Sequence, residues 1–352
     1  MLKNASDHLL GRTLATGWDV IEKCSRDENA TGGAFSSCYK VKKNGDPKSS
    51  VFFLKAFDFD SFFHPSTPGI SVMDMIGEMT NAFRYERDIS EFCKNKHVTK
   101  VVLVKDSGEE LVDGFSIPIV PYLIFELADC DVRHMLTSYD HTDLTWKFHS
   151  LHSVAVGLKQ LHQHLISHQD IKPSNILVYR SDSKIGDLGR TQTLSMQSPF
   201  QKMNYAGDRN YAPPEILYRY YIPDWHLRAY AIDMYLLGNL FVFYITGVTM
   251  NSLLKDALPE DINWEHWRGS YKDVSDYVVN SFNTVLTNLR IELQSCIEDK
   301  EILEDVILFV KYACHPIPEL RGHPKSASND QYSFERLISI LNLLYFKARH
   351  RM

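Results

Sequence analysis

The chain has 352 residues, 44% of them hydrophobic and 23% charged, the make-up of an ordinary globular protein with room for one large domain or two lobes. Its net charge of −6 argues against nonspecific nucleic-acid binding, which needs a basic surface. The six cysteines, Cys24, Cys38, Cys93, Cys130, Cys296 and Cys314, form no CxxC pair and no zinc-ligand spacing, a usage that suits a reducing compartment.

Residues 1–7 lack the apolar core of a signal peptide. The longest apolar run, 234–245, is interrupted by Asn239 and too short to span a bilayer, so it reads as a buried helix. The expected location is cytoplasmic, with no membrane span. His149, His152, His162, His164 and His168 lack the matched pairs of a zinc site and read as helix-surface or core histidines.

In chain order, residues 18–21, 35–41 and 51–57 predict strands, being short, rich in β-branched and aromatic residues and broken by turn formers. Asn44-Gly45-Asp46 predicts a hairpin turn. Residues 58–72 are irregular. The spacing of Met75, Ile76, Met79, Phe83, Ile89, Phe92 and Cys93 predicts a helix over 73–94. Residues 98–104 and 117–126 return to strand character. After Leu127 the pattern is helical, first at 145–164, with Trp146, Phe148, Leu151, Val154, Ala155, Leu158 and Leu161 on one face. A small hairpin follows, Ile176-Leu177-Val178 and Lys184-Ile185 around a Ser181-Asp182-Ser183 turn. Further helices are predicted at 214–220, 229–247, 271–298, 301–313 and 333–348. The layout is α+β: a strand-rich lobe over 1–127 and a helical lobe over 128–352.

Around that hairpin lies the chemistry. His168-Gln169-Asp170-Ile171-Lys172-Pro173-Ser174-Asn175 puts an acid, an amine and an amide in one loop, and Gly186-Asp187-Leu188-Gly189 adds a carboxylate 17 residues after Asp170. Phosphoryl transfer from a magnesium nucleotide uses such a set: a carboxylate to orient the hydroxyl, a lysine to neutralise the moving phosphoryl group, an amide and a second carboxylate to hold metal. A turn rich in Asp, Asn and Pro accounts for the polarity but not the joint spacing.

With the segments that follow it, this order resembles the eukaryote-like protein kinase superfamily, serine/threonine type, over residues 18–346, and implies the two-lobed fold of that family. The resemblance implies ATP and Mg²⁺ as cofactors and a protein substrate with a serine or threonine acceptor; the acidic net charge leaves no nucleic-acid partner expected. The nucleotide loop would run over 31–38, with Gly33, Ala34, Phe35 and Ser36 near the phosphates. Only Gly33 fits the three-glycine pattern; Thr31 and Ser36 replace the outer two. Lys55 would pair with the nucleotide phosphates and with a helix glutamate, Glu86, for which Glu78 and Glu91 compete. Ser90 is polar where the family packs an apolar side chain.

Residues 122–128 would be the hinge, with backbone groups of Glu126 and Ala128 on adenine, Phe125 guarding the inner pocket and Asp131 on ribose. Asp170 would take up the hydroxyl proton, Lys172 would meet the γ-phosphate, and Asn175 and Asp187 would bind Mg²⁺. Gln169 replaces the arginine that grips an activation-segment phosphate, so a site formed without a modified segment is expected, although Thr191, Thr193, Ser195 and Ser198 are available. Asp208 stands where the family has a threonine, and its carboxylate would bond Lys172 and repel Asp170. Glu215 would pair with Arg321, and Asp233 would hold the catalytic-loop backbone.

These departures suggest a divergent member of bacterial type. They also leave two other readings: a pseudokinase scaffold or binding module, and a small-molecule kinase of the same fold. The second group usually lacks the 207–215 segment and its Arg321 partner. Residues 248–305, with Trp264 and Trp267, match no pattern of the family and read as helical core or a docking region.

Overall fold

The computed structural model describes residues 4–24, 36–45, 50–59, 71–138, 143–326 and 330–351. The chain divides into two units, Met1–Asp129 with Gly186–Gly189, and Cys130–Ile185 with Arg190–Met352.

The first unit is built on an antiparallel sheet of β1 (Trp18–Lys23), β2 (Ser36–Lys43), β3 (Phe52–Phe57), β4 (Val104–Leu111) and β5 (Ile119–Glu126), in the order β1-β2-β3-β5-β4, with α1 (Val72–Asn95) between β3 and β4. Alternation decides its faces. Val20, Tyr39, Val41, Leu54, Ala56, Tyr122 and Ile124 point to one side and bury against Ala5, Leu9 and Leu14 from the N-terminal segment. Lys55 lies between Leu54 and Ala56 in sequence and so faces the other side. The helix starts where Ser71 caps it, accepting the Asp74 N–H at 3.1 Å. Met79, Phe83, Glu86, Ile89 and Cys93, spaced three and four apart, form a buried stripe, and Tyr85 and Ser90 are buried beside it.

Residues 98–104 do not form the expected strand. Val98, Val101 and Val102 are buried as loop packing, and pairing with β5 begins only at Val104. The strand itself is Val-Lys-Asp-Ser-Gly-Glu-Glu-Leu, a polar edge whose hydrophobic signal is weak. Ser90, the misplaced polar residue of α1, is buried here and accepts the Val104 N–H at 2.7 Å.

The second unit is largely helical. A short strand β6 (Cys130–Asp131) leads into α2 (Val132–Ser138), then α3 (Leu144–His162), β7 (Ile166–Ser167), β8 (Ile176–Tyr179), β9 (Asp182–Ile185) and β10 (Gln192–Thr193). The hairpin turn falls at Arg180–Ser181, not at 181–183; Asp182 and Ser183 are in β9, opposite Tyr179 and Val178. Then come α4 (Pro214–Leu217), α5 (Trp225–Thr246), α6 (Met250–Ala257), α7 (Tyr271–Leu293), α8 (Lys300–Ala313) and α9 (Glu335–Arg351). By length and composition α5 could cross a bilayer, yet 78% of its most apolar stretch is buried in the protein, as in a core helix. It begins four residues before the apolar pattern because Asp224 caps it through the Leu227 N–H. Gly238 lets α8 approach: a β-carbon there would overlap Cys314 Sγ and sit 2.8 Å from Ala313 Cβ. Residues 248–305 contribute to the helical core. Trp264 is buried against Tyr218, and Val274, Val278, Phe282, Val285 and Leu289 give α7 a buried face.

Candidate active site

In the first unit three ionisable groups meet on the face of β3 that carries Lys55. Its Nζ lies 2.9 Å from both carboxylate oxygens of Glu86 and 3.3 Å from Asp187 Oδ1. Glu86 is the helix partner; Glu91 lies 3.7 Å from Lys94. One ammonium thus faces two carboxylates. Burial alone would lower the Lys55 pKa, but Asp187 and Glu86 override it and hold the amine above the lysine range. Burial raises the Glu86 pKa, Lys55 draws it back, and Asp187 pushes it up again. Asp187 takes a positive φ of 56°, a strained backbone for an aspartate. Gly189 stands against the pair: a β-carbon there would lie 3.0 Å from Glu86 Oε2.

Of the other nucleotide residues named from the sequence, Ser36 is buried at the start of β2, and Glu126 closes β5 with Ala128 two residues on. Gly33, Ala34 and Phe35, with Thr31, lie outside the described residues. Asp131 belongs to the second unit, where its Oδ1 accepts the His134 N–H at 2.9 Å and caps α2.

In the second unit Asp170 is the hub. Asn175 Nδ2 donates to its Oδ2 at 2.9 Å and to its carbonyl at 2.8 Å. The backbone N–H of Asp208 donates to its Oδ1 at 2.8 Å, and Lys172 Nζ lies 3.1 Å from its Oδ2. The Asp208 carboxylate sits 3.5 Å from Lys172, and its Oδ1 accepts the Asn210 N–H. Asp208 thus meets Asp170 through its backbone N–H, and Lys172 is within ion-pair distance of both carboxylates. Asp170, Lys172 and Asn175 are all buried. The loop is fixed from behind by Asp233, which accepts the N–H groups of His168 and Gln169 at 2.8 Å each. His162 Nε2 meets the same carboxylate at 2.9 Å, with its ring stacked on Tyr230. Gln169, at a φ of 68°, is buried and donates to Ser167 Oγ at 2.7 Å.

The segment after Asp187 is held by Arg190, which donates to the Ala206 carbonyl at 3.3 Å and lies over the Phe200 ring, and by several neutral groups. Gln192 Nε2 donates to the carbonyls of Phe200 at 3.0 Å and Met203 at 2.8 Å. Ser198 Oγ donates to the Thr191 carbonyl, and Thr193 Oγ1 accepts the Ser195 N–H. Thr191, Thr193 and Ser198 are buried; Ser195 is exposed. At the segment's end Glu215 and Arg321 form a buried two-bond pair, 2.8 Å on each side. Asn251 Nδ2 donates to the Ala212 carbonyl at 2.8 Å and its Oδ1 accepts from Tyr235. Sequence reasoning missed Gln192 and Asn251. The nearest signal was Asn239, the one polar break in an apolar run, whose Nδ2 donates to Asn251 Oδ1 at 3.2 Å.

A family model described as protein kinase domain matches residues 70–333. The chain is 28% identical over 232 residues to serine/threonine-protein kinase SSN3 of Scheffersomyces stipitis, covering 58% of this chain and 48% of that protein. It is 31% identical over 189 residues to mitogen-activated protein kinase 17 of Arabidopsis thaliana, covering 49% and 36%. Over 97 residues it is 36% identical to mitogen-activated protein kinase 2 of Oryza sativa, covering 27% and 24%. The chain spans half or less of the length of these relatives.

Proposed function

The chain belongs to the protein kinase domain family, and from that premise we propose that it transfers the γ-phosphate of ATP to serine or threonine hydroxyls of proteins. The observation that carries the reading is the Asp170 carboxylate. It is buried yet gripped by the Asn175 amide, the Asp208 N–H and the Lys172 ammonium. A buried carboxylate held this firmly is oriented for one task.

In the proposed mechanism Asp170 aligns the acceptor hydroxyl and receives its proton as the oxygen attacks. Lys172, balanced between Asp170 and Asp208, offsets charge on the transferring group. Lys55, kept protonated by Glu86 and Asp187, binds the nucleotide phosphates. The residues fit a divalent cation. Asp187 and Glu86 give two carboxylates to one lysine, an excess of negative charge that a cation relieves. Asn175 commits its nitrogen to Asp170, which turns the amide oxygen away from it. Asp187 and Asn175 are therefore the proposed Mg²⁺ ligands, and the bound ion would neutralise and orient the phosphate oxygens. The backbone of Glu126 and Ala128 would receive adenine, Asp131 the ribose, and Gly33 to Ser36 the phosphates. The scattered cysteine spacing supports a cytoplasmic location in the same reading.

The test is incubation with labelled ATP and Mg²⁺, then mapping of the modified residues in the chain itself and in a cell lysate. Label on serine and threonine, lost in Asp170→Asn and Asp187→Asn, is the expected result. Label that survives both substitutions would overturn the reading.

A further inference from the structure

Two cysteines far apart in spacing terms meet across the sheet. β1 runs antiparallel to β2 with Lys23 opposite Tyr39, so the next pair along is Cys24 and Cys38. The Cys24 N–H donates to the Cys38 carbonyl at 2.9 Å, continuing the ladder. On its other side Cys38 lies opposite Lys55 of β3. Directly opposed residues of antiparallel strands project to one face, with Cβ atoms about 4.5–5.5 Å apart. Cys24, Cys38 and Lys55 therefore form a row on the face away from the buried Tyr39 and Leu54. The ion pair of Glu22 and Lys40, 2.9 Å apart, borders the row. Both cysteines are thiols and half-buried. Opposed hydrogen-bonded positions lie about 5.5 Å apart at Cα, inside the roughly 4.4–6.8 Å that a disulfide spans, and the ribbon must draw their Cβ atoms in to about 3.5–4.5 Å for the bond to close.

We propose that Cys24 and Cys38 are a redox-sensitive modification site, closed to a disulfide by a small disulfide oxidant such as oxidised glutathione, and that closure weakens nucleotide binding beside Lys55. The second half rests on the kinase reading above. One protein thiolate attacks a sulfur of the oxidant and expels the first glutathione thiolate. The second protein thiolate then attacks the mixed disulfide at the protein sulfur and expels the other. Two protein thiols are oxidised, one oxidant disulfide is reduced to two thiols, and the two protons pass to the released glutathione. Burial raises the Cys24 pKa, which keeps that sulfur a thiol and slows its attack on the oxidant. The new bond ties together the two ends of segment 25–37, which contains Gly33 and Phe35. It fixes the spread of the β1–β2 ribbon next to the lysine assigned to the phosphates.

The test is to incubate the full chain with oxidised glutathione, alkylate, digest, and search by mass spectrometry for a Cys24–Cys38 cross-linked peptide. Mg-ATP affinity is measured on the same samples before and after dithiothreitol. The expected result is the cross-link, an affinity loss of about tenfold, recovery on reduction, and no loss in Cys24→Ser under the same oxidant. Absence of the cross-link, or unchanged affinity in cross-linked protein, overturns the proposal. Reduced protein that binds no Mg-ATP overturns the kinase reading instead, and the cross-link is read independently of it.

Discussion

Asp208 gives its backbone N–H to Asp170 at 2.8 Å while holding its carboxylate 3.5 Å from Lys172. Backbone and side chain thus serve different partners, and substitutions separate them. Asp208→Asn keeps the N–H bond and is expected to retain activity within about tenfold. Gly207→Ala does not leave the backbone alone: its β-carbon would overlap the Gln169 carbonyl, with Tyr205 Oη at 2.6 Å. Moving Asp208 away from Asp170 by that route should cost on the order of 100-fold in kcat, as small misplacements of aligned groups do. Steady-state kinetics on the two variants checks the contrast, and near-UV circular dichroism checks that Gly207→Ala remains folded.

Arg321 and Glu215 are both essentially excluded from solvent, and Arg321 also donates to the carbonyls of Ala231 at 2.7 Å and His315 at 2.9 Å. Removing one member of such a pair strands the other charge. Arg321→Ala should lower the unfolding free energy by about 3–5 kcal/mol. Arg321→Lys should recover little of this, because an ammonium cannot make the two parallel bonds. Urea denaturation followed by fluorescence measures both.

Much of this was readable before any coordinates. Asp170, Lys172, Asn175 and Asp187 stand out because several polar groups at fixed intervals in apolar surroundings have few structural explanations. The partners of Glu215 and Asp233 were implied by the resemblance to protein kinases and agree with the need of a buried carboxylate for donors. The rest was not legible for physical reasons. β4 is a polar edge with no hydrophobic alternation to announce it, while the valines before it imitate a strand because they are loop residues packed inward. Short helices α2 and α6 depend on caps and tertiary contacts more than on periodicity. Gln192 acts through its amide on two carbonyls 8 and 11 residues downstream, a pairing that depends on how the loop turns.

That glutamine supports a site ordered without phosphate. Thr191, Thr193 and Ser198 are buried and bonded within the segment, so they are closed to a modifying enzyme in the folded protein. Ser195, whose Oγ donates to the His164 carbonyl at 3.2 Å, is the exposed one. Ser195→Ala should keep full activity, and Gln192→Met should lose most of it by releasing the Phe200 and Met203 carbonyls. Activity of phosphatase-treated protein, alone and as these variants, decides the matter. Inactivity after dephosphorylation would exclude a segment ordered without phosphate.

At Lys55 the needs of stability and function diverge. Burial disfavours the charge on Glu86, and Asp187 adds repulsion, so its pKa is raised despite Lys55. Such a group loses stability as the pH rises through its folded pKa, and at neutral pH its ionised form is the less favourable one for the fold. Glu86→Gln should therefore leave thermal stability unchanged or higher. It should still reduce activity about 10- to 100-fold, because the lysine loses one of the carboxylates that hold it. A scanning-fluorimetry midpoint that falls together with the activity would contradict this division.

His315 supplies the opposite sign. Burial pulls its imidazole below the ordinary histidine range, and the Arg321 and Lys311 cations add to that against the Ile317 hydrogen bond. Its Nδ1 lies 3.1 Å from the Ile317 nitrogen, whose N–H it accepts when unprotonated, and 3.2 Å from the Ile317 carbonyl, to which it donates when protonated; its ring packs edge-on against Phe282 of α7. With the folded pKa depressed, the unfolded chain takes up the proton first. The contribution to stability is complete above the unfolded value of about 6.5 and is lost as the pH falls from there through the folded value. Because the His315 carbonyl also accepts from Arg321, protonation adds a cation next to the buried ion pair and loosens the loop that holds it. Unfolding free energies measured across this window should fall with acidity in the wild type and fall less steeply in His315→Asn. Equal slopes would mean that other groups carry the acid sensitivity.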